Sequence, residues 1–156
     1  MASPDELMRE ALRLARESVA AGGGPFAALV VKDGAVVAAA TNRVALDRDP
    51  TAHAEVLAIR EACRSLGTFR LDGCEIYASC EPCPMCAGAI AWARPARVLY
   101  AATRRSAAAA GFDDARMWAE MAGPPAERSI PAQRLVVDGA EGPFAAWAEK
   151  ADRTRY

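Results

Sequence analysis

The sequence predicts a layered α/β domain, and three features point there. Short apolar runs of strand length alternate with stretches of helical periodicity. Gly and Pro punctuate the joins, without a repeat or interdomain linker. The chain of 156 residues suits one domain, able to bury roughly 68–70% of its unfolded surface. Taken in order, Pro4 to Ala21 places Leu7, Met8, Ala11, Leu12, Leu14, Ala15 and Val19 at helical spacing among Glu and Arg. This amphipathic helix stops at Gly22-Gly23-Gly24-Pro25. Phe26 to Val31 and Ala35 to Thr41 are strands around Lys32-Asp33-Gly34, a hairpin signal with Asp-Gly at the turn. Thr41 to Asp49 is polar and loop-like. Asp49 or Thr51 can cap a helix that tolerates Pro50 near its start and ends at about Leu66, before Gly67. Gly73 to Ser79 reads as a third strand, Pro84 to Ala93 as a helix ended by Arg94-Pro95, and Arg97 to Ala102 as a fourth strand. The Ala107 to Ala110 run favours helix. Ala115 to Met121 looks helical, Gln133 to Val137 reads as a fifth strand, and Gly142-Pro143 opens a last helix, Phe144 to Lys150.

Composition narrows the function classes. The net charge of −1 gives no general pull toward nucleic acid. No segment has the length and apolarity of a membrane span, and Glu6-Leu7-Met8-Arg9-Glu10 is too charged for a secretory signal. Five cysteines, two of them in C-x-x-C, fit a reducing cytoplasm better than a disulfide framework.

The chemistry-bearing pattern is His53-Ala54-Glu55 followed by Pro82-Cys83-Pro84-Met85-Cys86, and His53 is the chain's one histidine. H-x-E with P-C-x-x-C is the zinc-deaminase arrangement. One imidazole and two thiolates give zinc three protein ligands and leave its fourth tetrahedral position for water. His53 and Glu55 fall at the mouth of one helix. Cys83 stands where an N-cap would, with Pro84 at the first helical position, and residues three apart share a helix face. Glu55 is near yet spare, so it can move protons. Cys80 would end its strand and is the weaker ligand candidate; Cys63 and Cys74 read as packing residues. Glu81 competes with Glu55, but its place suits a carboxylate holding turn amides. A closed structural zinc site would have no need of Glu55, and a redox role for Cys83 and Cys86 conflicts with their commitment to metal.

Over nearly its whole length the sequence resembles the cytidine deaminase-like superfamily, and more narrowly the short bacterial guanine deaminases. The resemblance rests on Gly23-Gly24-Pro25-Phe26, Asn42, Asp49 to Glu55, Cys80 to Cys86, Trp92 to Pro95, Ala110 to Asp114 and Tyr156. It implies a three-layer α/β/α sandwich on a five-stranded mixed sheet, with residues 1–156 a single zinc-dependent deaminase domain. It also implies a homodimer in which a segment of about residues 140–156 is exchanged onto the partner. Carried over by position, His53, Cys83 and Cys86 would bind zinc, Glu55 would be the main proton shuttle and Asp114 a second. Phe26 and Trp92 would wall the flat ring, Asn42 would bond its polar edge, Ala54 would touch it, and Tyr156 would close the partner's pocket. The expected reaction is hydrolysis of a free nucleobase, guanine to xanthine and ammonia. Cytosine or cytidine, guanosine, an aminotriazine and tRNA adenosine are the other substrates this chemistry admits. Plainer roles stay open: Phe26 and Trp92 as core aromatics, Asn42 as a turn residue, Asp114 as a helix cap, Tyr156 as a loose end.

Overall fold

The computed structural model describes residues 1–156. The chain forms two compact units, Met1–Ala115 and Arg116–Tyr156.

In the first unit, α1 (Pro4–Ala20) starts with a reciprocal cap. Ser3 Oγ accepts from the Glu6 amide, while Glu6 Oε2 accepts from the Ser3 amide at 2.7 Å. Such caps are each worth about 1 kcal/mol. β1 (Ala27–Lys32) and β2 (Ala35–Thr41) form an antiparallel hairpin. Its turn places Asp33 at φ 51° and Gly34 at φ 75°. Two successive left-handed residues match the strand twist, as the Asp-Gly pair predicts. A short α2 (Val44–Asp47) follows, then α3 (Ala54–Leu66), β3 (Cys74–Cys80), α4 (Pro84–Ala93), β4 (Arg97–Ala102) and α5 (Arg104–Ala109).

The sheet runs β2-β1-β3-β4, antiparallel except for the parallel β3–β4 pair. Alternation along β1 divides the core. Ala28 and Val30 face Ala54, Ala58 and Ala62 of α3, with Ile76 and Ala93. Leu29 and Val31 face Leu7 and Ala11 of α1, with Tyr77. Helices therefore cover both faces, and β1 and β3 are buried on each, which explains their near-continuous apolar sequence.

The sheet has four strands, not five. Gln133 to Val137, expected as the fifth, forms no strand. The second unit holds α6 (from Ala115 to Met121), a 3₁₀ turn (Pro125–Glu127) and α7 (Gly142–Glu149), so the run has no neighbouring strand there to bond. Leu135, Val136 and Val137 consequently lie exposed. Two smaller differences concern the site. Val44–Asp47 is helical where a loop was expected. His53 is the N-cap of α3, where Asp49 or Thr51 was expected to cap; those two are instead spent on a turn of their own, Asp49 accepting from the Thr51 amide and hydroxyl at 2.8 and 2.7 Å.

Candidate metal centre and active site

Two helix mouths make the site. His53 is the N-cap of α3 and Cys83 that of α4; Pro84 at the first helical position supplies a fixed φ where no N–H is needed. Neither side chain caps its own helix, so imidazole and sulfur remain available to each other. His53 Nδ1 lies 3.5 Å from Cys83 Sγ and 3.4 Å from Cys86 Sγ. All three donor atoms fall within 4.8 Å of one another.

That triangle fits zinc. Bond lengths of about 2.0 Å to nitrogen and 2.3 Å to sulfur, in a tetrahedron, put nitrogen about 3.5 Å from each sulfur. Protonation agrees. The Cys83 thiol is pulled down to about 4, first by its hydrogen bond with Cys86 and also by His53. Cys86 is pushed up by its bond to the Cys83 sulfur and by burial, and His53 is raised, first by Cys83. Cys83 is thus ready as a thiolate, while Cys86 and His53 hold on to protons that a dication would replace.

Glu55, in the first turn of α3, is 8% exposed. Its Oε2 accepts from Cys86 Sγ at 3.4 Å, which sets a carboxyl beside the triangle without making it a corner. Burial pushes the Glu55 carboxyl upward; a cation next to it would favour the charged form again. A group balanced between those influences can both take and give a proton. Cys80 points elsewhere, its Sγ reaching Thr103 O at 3.6 Å. Glu81 accepts from the Arg104 backbone amide at 3.0 Å, holding the join from β4 to α5.

The remaining expected residues divide. Phe26 meets Phe112 edge-on, centroids 5.0 Å apart and planes at 85°. Asn42, 7% exposed, directly follows the second strand beside Phe26, whose carbonyl accepts the Asn42 amide at 2.9 Å. Its Oδ1 accepts from the Val44 amide. Ala54 is buried against the sheet. Trp92, on α4, is 65% exposed. Asp114 is half-buried and lines a cavity of about 400 Å³ with Glu81, Thr103, Arg104, Arg105 and Asp113. The Ala115 amide that begins α6 is held by Asp113 at 2.9 Å, so the capping role falls to that neighbour. Tyr156 is 71% exposed in the second unit. Sequence reasoning gave no role to Phe112 or to the arginines of α5. For Phe112 the available signal was its place in the Ala110 to Asp114 segment that carries the resemblance; for the arginines it was only proximity in sequence to Asp114.

A family model, the cytidine and deoxycytidylate deaminase zinc-binding region, matches residues 1–102. The chain belongs to that family. It is a hydrolytic deaminase by membership, and its cofactor is zinc. It is 50% identical to a guanine deaminase of Bacillus subtilis over 153 residues, covering 97% of this chain and 98% of the relative. A tRNA-specific adenosine deaminase of Aquifex aeolicus is 45% identical over 95 residues, 61% of this chain and 63% of the relative. Among solved structures, the Bacillus subtilis guanine deaminase superposes with a TM-score of 0.97 at 49% identity, covering 99% of each chain. A guanine deaminase from Nitrosomonas europaea gives 0.69 at 41% identity, over 74% of this deaminase and 67% of that chain.

Proposed function

We propose that the protein deaminates guanine hydrolytically, yielding xanthine and ammonia. The observation that carries the chemistry is a three-donor triangle with a spare buried carboxyl against it. The choice of base is supported by likeness that continues through the C-terminal third to a guanine deaminase, whereas likeness to the tRNA enzyme spans 95 residues.

His53, Cys83 and Cys86 hold the zinc. When bound, zinc supplies a Lewis acid that brings the pKa of water toward about 7. Glu55 takes the proton of the water that attacks C2 and passes it to ring N3. It then takes the second proton from the new C2 hydroxyl and delivers it to the amino group, with Asp114 as a second carrier, so that the C2–N bond breaks, C2 becomes a carbonyl and nitrogen leaves as ammonia. Phe26 and Trp92 flank the purine, Ala54 lies against it, and Asn42 bonds its polar edge.

The active form in this reading is a homodimer that exchanges its C-terminal segment, placing Tyr156 over the partner's pocket. Three features support it. Leu135, Val136 and Val137 are exposed and unpaired, β4 bonds a strand on one edge only, and Phe144 and Trp147 of α7 are exposed. An apolar groove of about 450 Å³, lined by Leu12, Ala15, Val19, Ala102 and Ala107 among others, offers a seat for such side chains on the first unit of a partner. The five free cysteines accord with a reducing cytoplasm, and no helix is long and apolar enough to cross a membrane.

Ammonia release from guanine, guanosine, cytosine, cytidine, adenine and ammeline by zinc-loaded protein tests the substrate. A faster reaction with any base other than guanine would displace the reading. Deleting Arg153–Tyr156 should cut guanine turnover far more than it lowers the melting temperature; unchanged turnover would remove the exchanged lid.

A further inference from the structure

Gly23 and Gly24 follow α1, yet neither has a positive φ; that demand is met by Gly22 at φ 87°. Their missing side chains make space instead. A Cβ on Gly23 would stand 2.5 Å from the Asn42 carbonyl oxygen and 2.5 Å from Ser18 Oγ. A Cβ on Gly24 would stand 2.9 Å from both Cγ and Oδ1 of the Asn42 side chain. The two glycines thus hold different parts of one residue: Gly23 its backbone, Gly24 its amide. Ser18, buried at the end of α1, also reaches the Asn42 carbonyl, at 3.4 Å.

The amide has a defined polarity. The Val44 N–H can only donate, so the atom facing it at 3.2 Å is the oxygen. The NH₂ group is therefore the end turned away from the Val44 turn. We propose that Gly24 is a positioning residue for Asn42. Its bare Cα leaves room for the amide to lie with Oδ1 on the Val44 N–H, so that Asn42 meets the substrate as a hydrogen-bond donor. A purine with an acceptor on its far edge, such as the O6 of guanine, is selected over one without. This rests on the reading of Asn42 as a substrate contact.

The test uses zinc-loaded full-length protein and two bases, guanine and 2-aminopurine, which lacks O6. In Gly24→Ala the collision is with a movable side chain, so the fold should survive and the amide should shift. KM for guanine should rise about five- to tenfold, the worth of one hydrogen bond. The value of kcat should stay within about threefold, and the preference for guanine over 2-aminopurine should fall by the same factor as KM rises. Gly23→Ala collides with backbone, so it should lower the melting temperature well below that of Gly24→Ala. Asn42→Asp keeps an oxygen for Val44 but replaces the donor with an acceptor, and it should lose the preference for guanine even if Gly24→Ala fails to fold.

A Gly24→Ala protein with wild-type KM and preference would overturn the proposal. So would one that loses both bases equally while melting early. Proton–nitrogen correlation spectra of the substrate-free protein give a separate readout, because the Val44 amide resonance should move in Gly24→Ala. If the wild type fails to turn over guanine, the substrate reading falls, and the Val44 resonance alone decides whether Gly24 sets the amide.

Discussion

Replacing Glu55 by Gln separates proton transfer from everything else this side chain does. Gln preserves the volume at a position only 8% exposed and leaves His53, Cys83 and Cys86 unchanged, so zinc content should match the wild type. What disappears is the ability to accept and return a proton next to the triangle. Positioned acid–base catalysis is worth roughly 10²–10⁴-fold, or about 2.7–5.4 kcal/mol of barrier at about 1.36 kcal/mol per decade. Without metal, stability should move the other way. Burial is the leading influence on the Glu55 carboxyl, and a neutral amide escapes that desolvation. The expected signature is a fall in kcat of at least about a hundredfold in the zinc-loaded enzyme, with a melting temperature of the metal-free protein equal to or above metal-free wild type. Steady-state ammonia release and zinc analysis on the loaded protein, and thermal melting after chelation, measure all three. A Gln variant with normal zinc and kcat within about threefold of wild type would refute the role of Glu55.

Other outcomes follow from the same geometry. Cys86→Ala should lose both zinc and activity, and chelation of the wild type should lower its melting temperature, since metal bound only by the folded site stabilises it; an unchanged melt after verified zinc removal would contradict the site. Ile76→Ala, fully buried on β3, should cost about 2–5 kcal/mol in denaturant unfolding. Glu75 accepts from Tyr77 Oη at 2.8 Å and pairs with Arg97 at 2.6 Å, and these partners, Tyr77 first, hold its carboxyl below its usual 4.5. Its folded pKa is therefore lower than its unfolded one, so the stabilisation exists above about pH 4.5 and is lost as pH falls through the folded value. The melting gap between wild type and Glu75→Gln should be present at neutral pH and close in acid; a gap independent of pH would show that charge is not its source.

The metal triad was legible because its logic is local. His53-x-Glu55 and Cys83-x-x-Cys86 each sit at one helix start, where neighbouring residues share a face whatever the rest of the chain does. The hairpin was legible for the same reason, through the two left-handed residues at Asp33-Gly34. Gln133 to Val137 was misread because strand formation is not local: β-branched residues favour extended backbone, but a strand exists only where another edge bonds to it. The short helix at Val44–Asp47 was missed because its stabilisation includes an ion pair, Arg43 to Asp47 at 2.7 Å, within a segment lacking apolar periodicity.

By itself the sequence determined the class of chemistry, since the identity and spacing of His53, Glu55, Cys83 and Cys86 restrict the metal and the proton carrier. Tertiary structure alone decided that His53 meets sulfurs from another helix, that Glu55 is buried enough to resist ionisation, and that Asn42 lies against Gly24. Those facts depend on distances between residues far apart in the chain, which only the packing of helices on both faces of the β1–β3 sheet brings into contact.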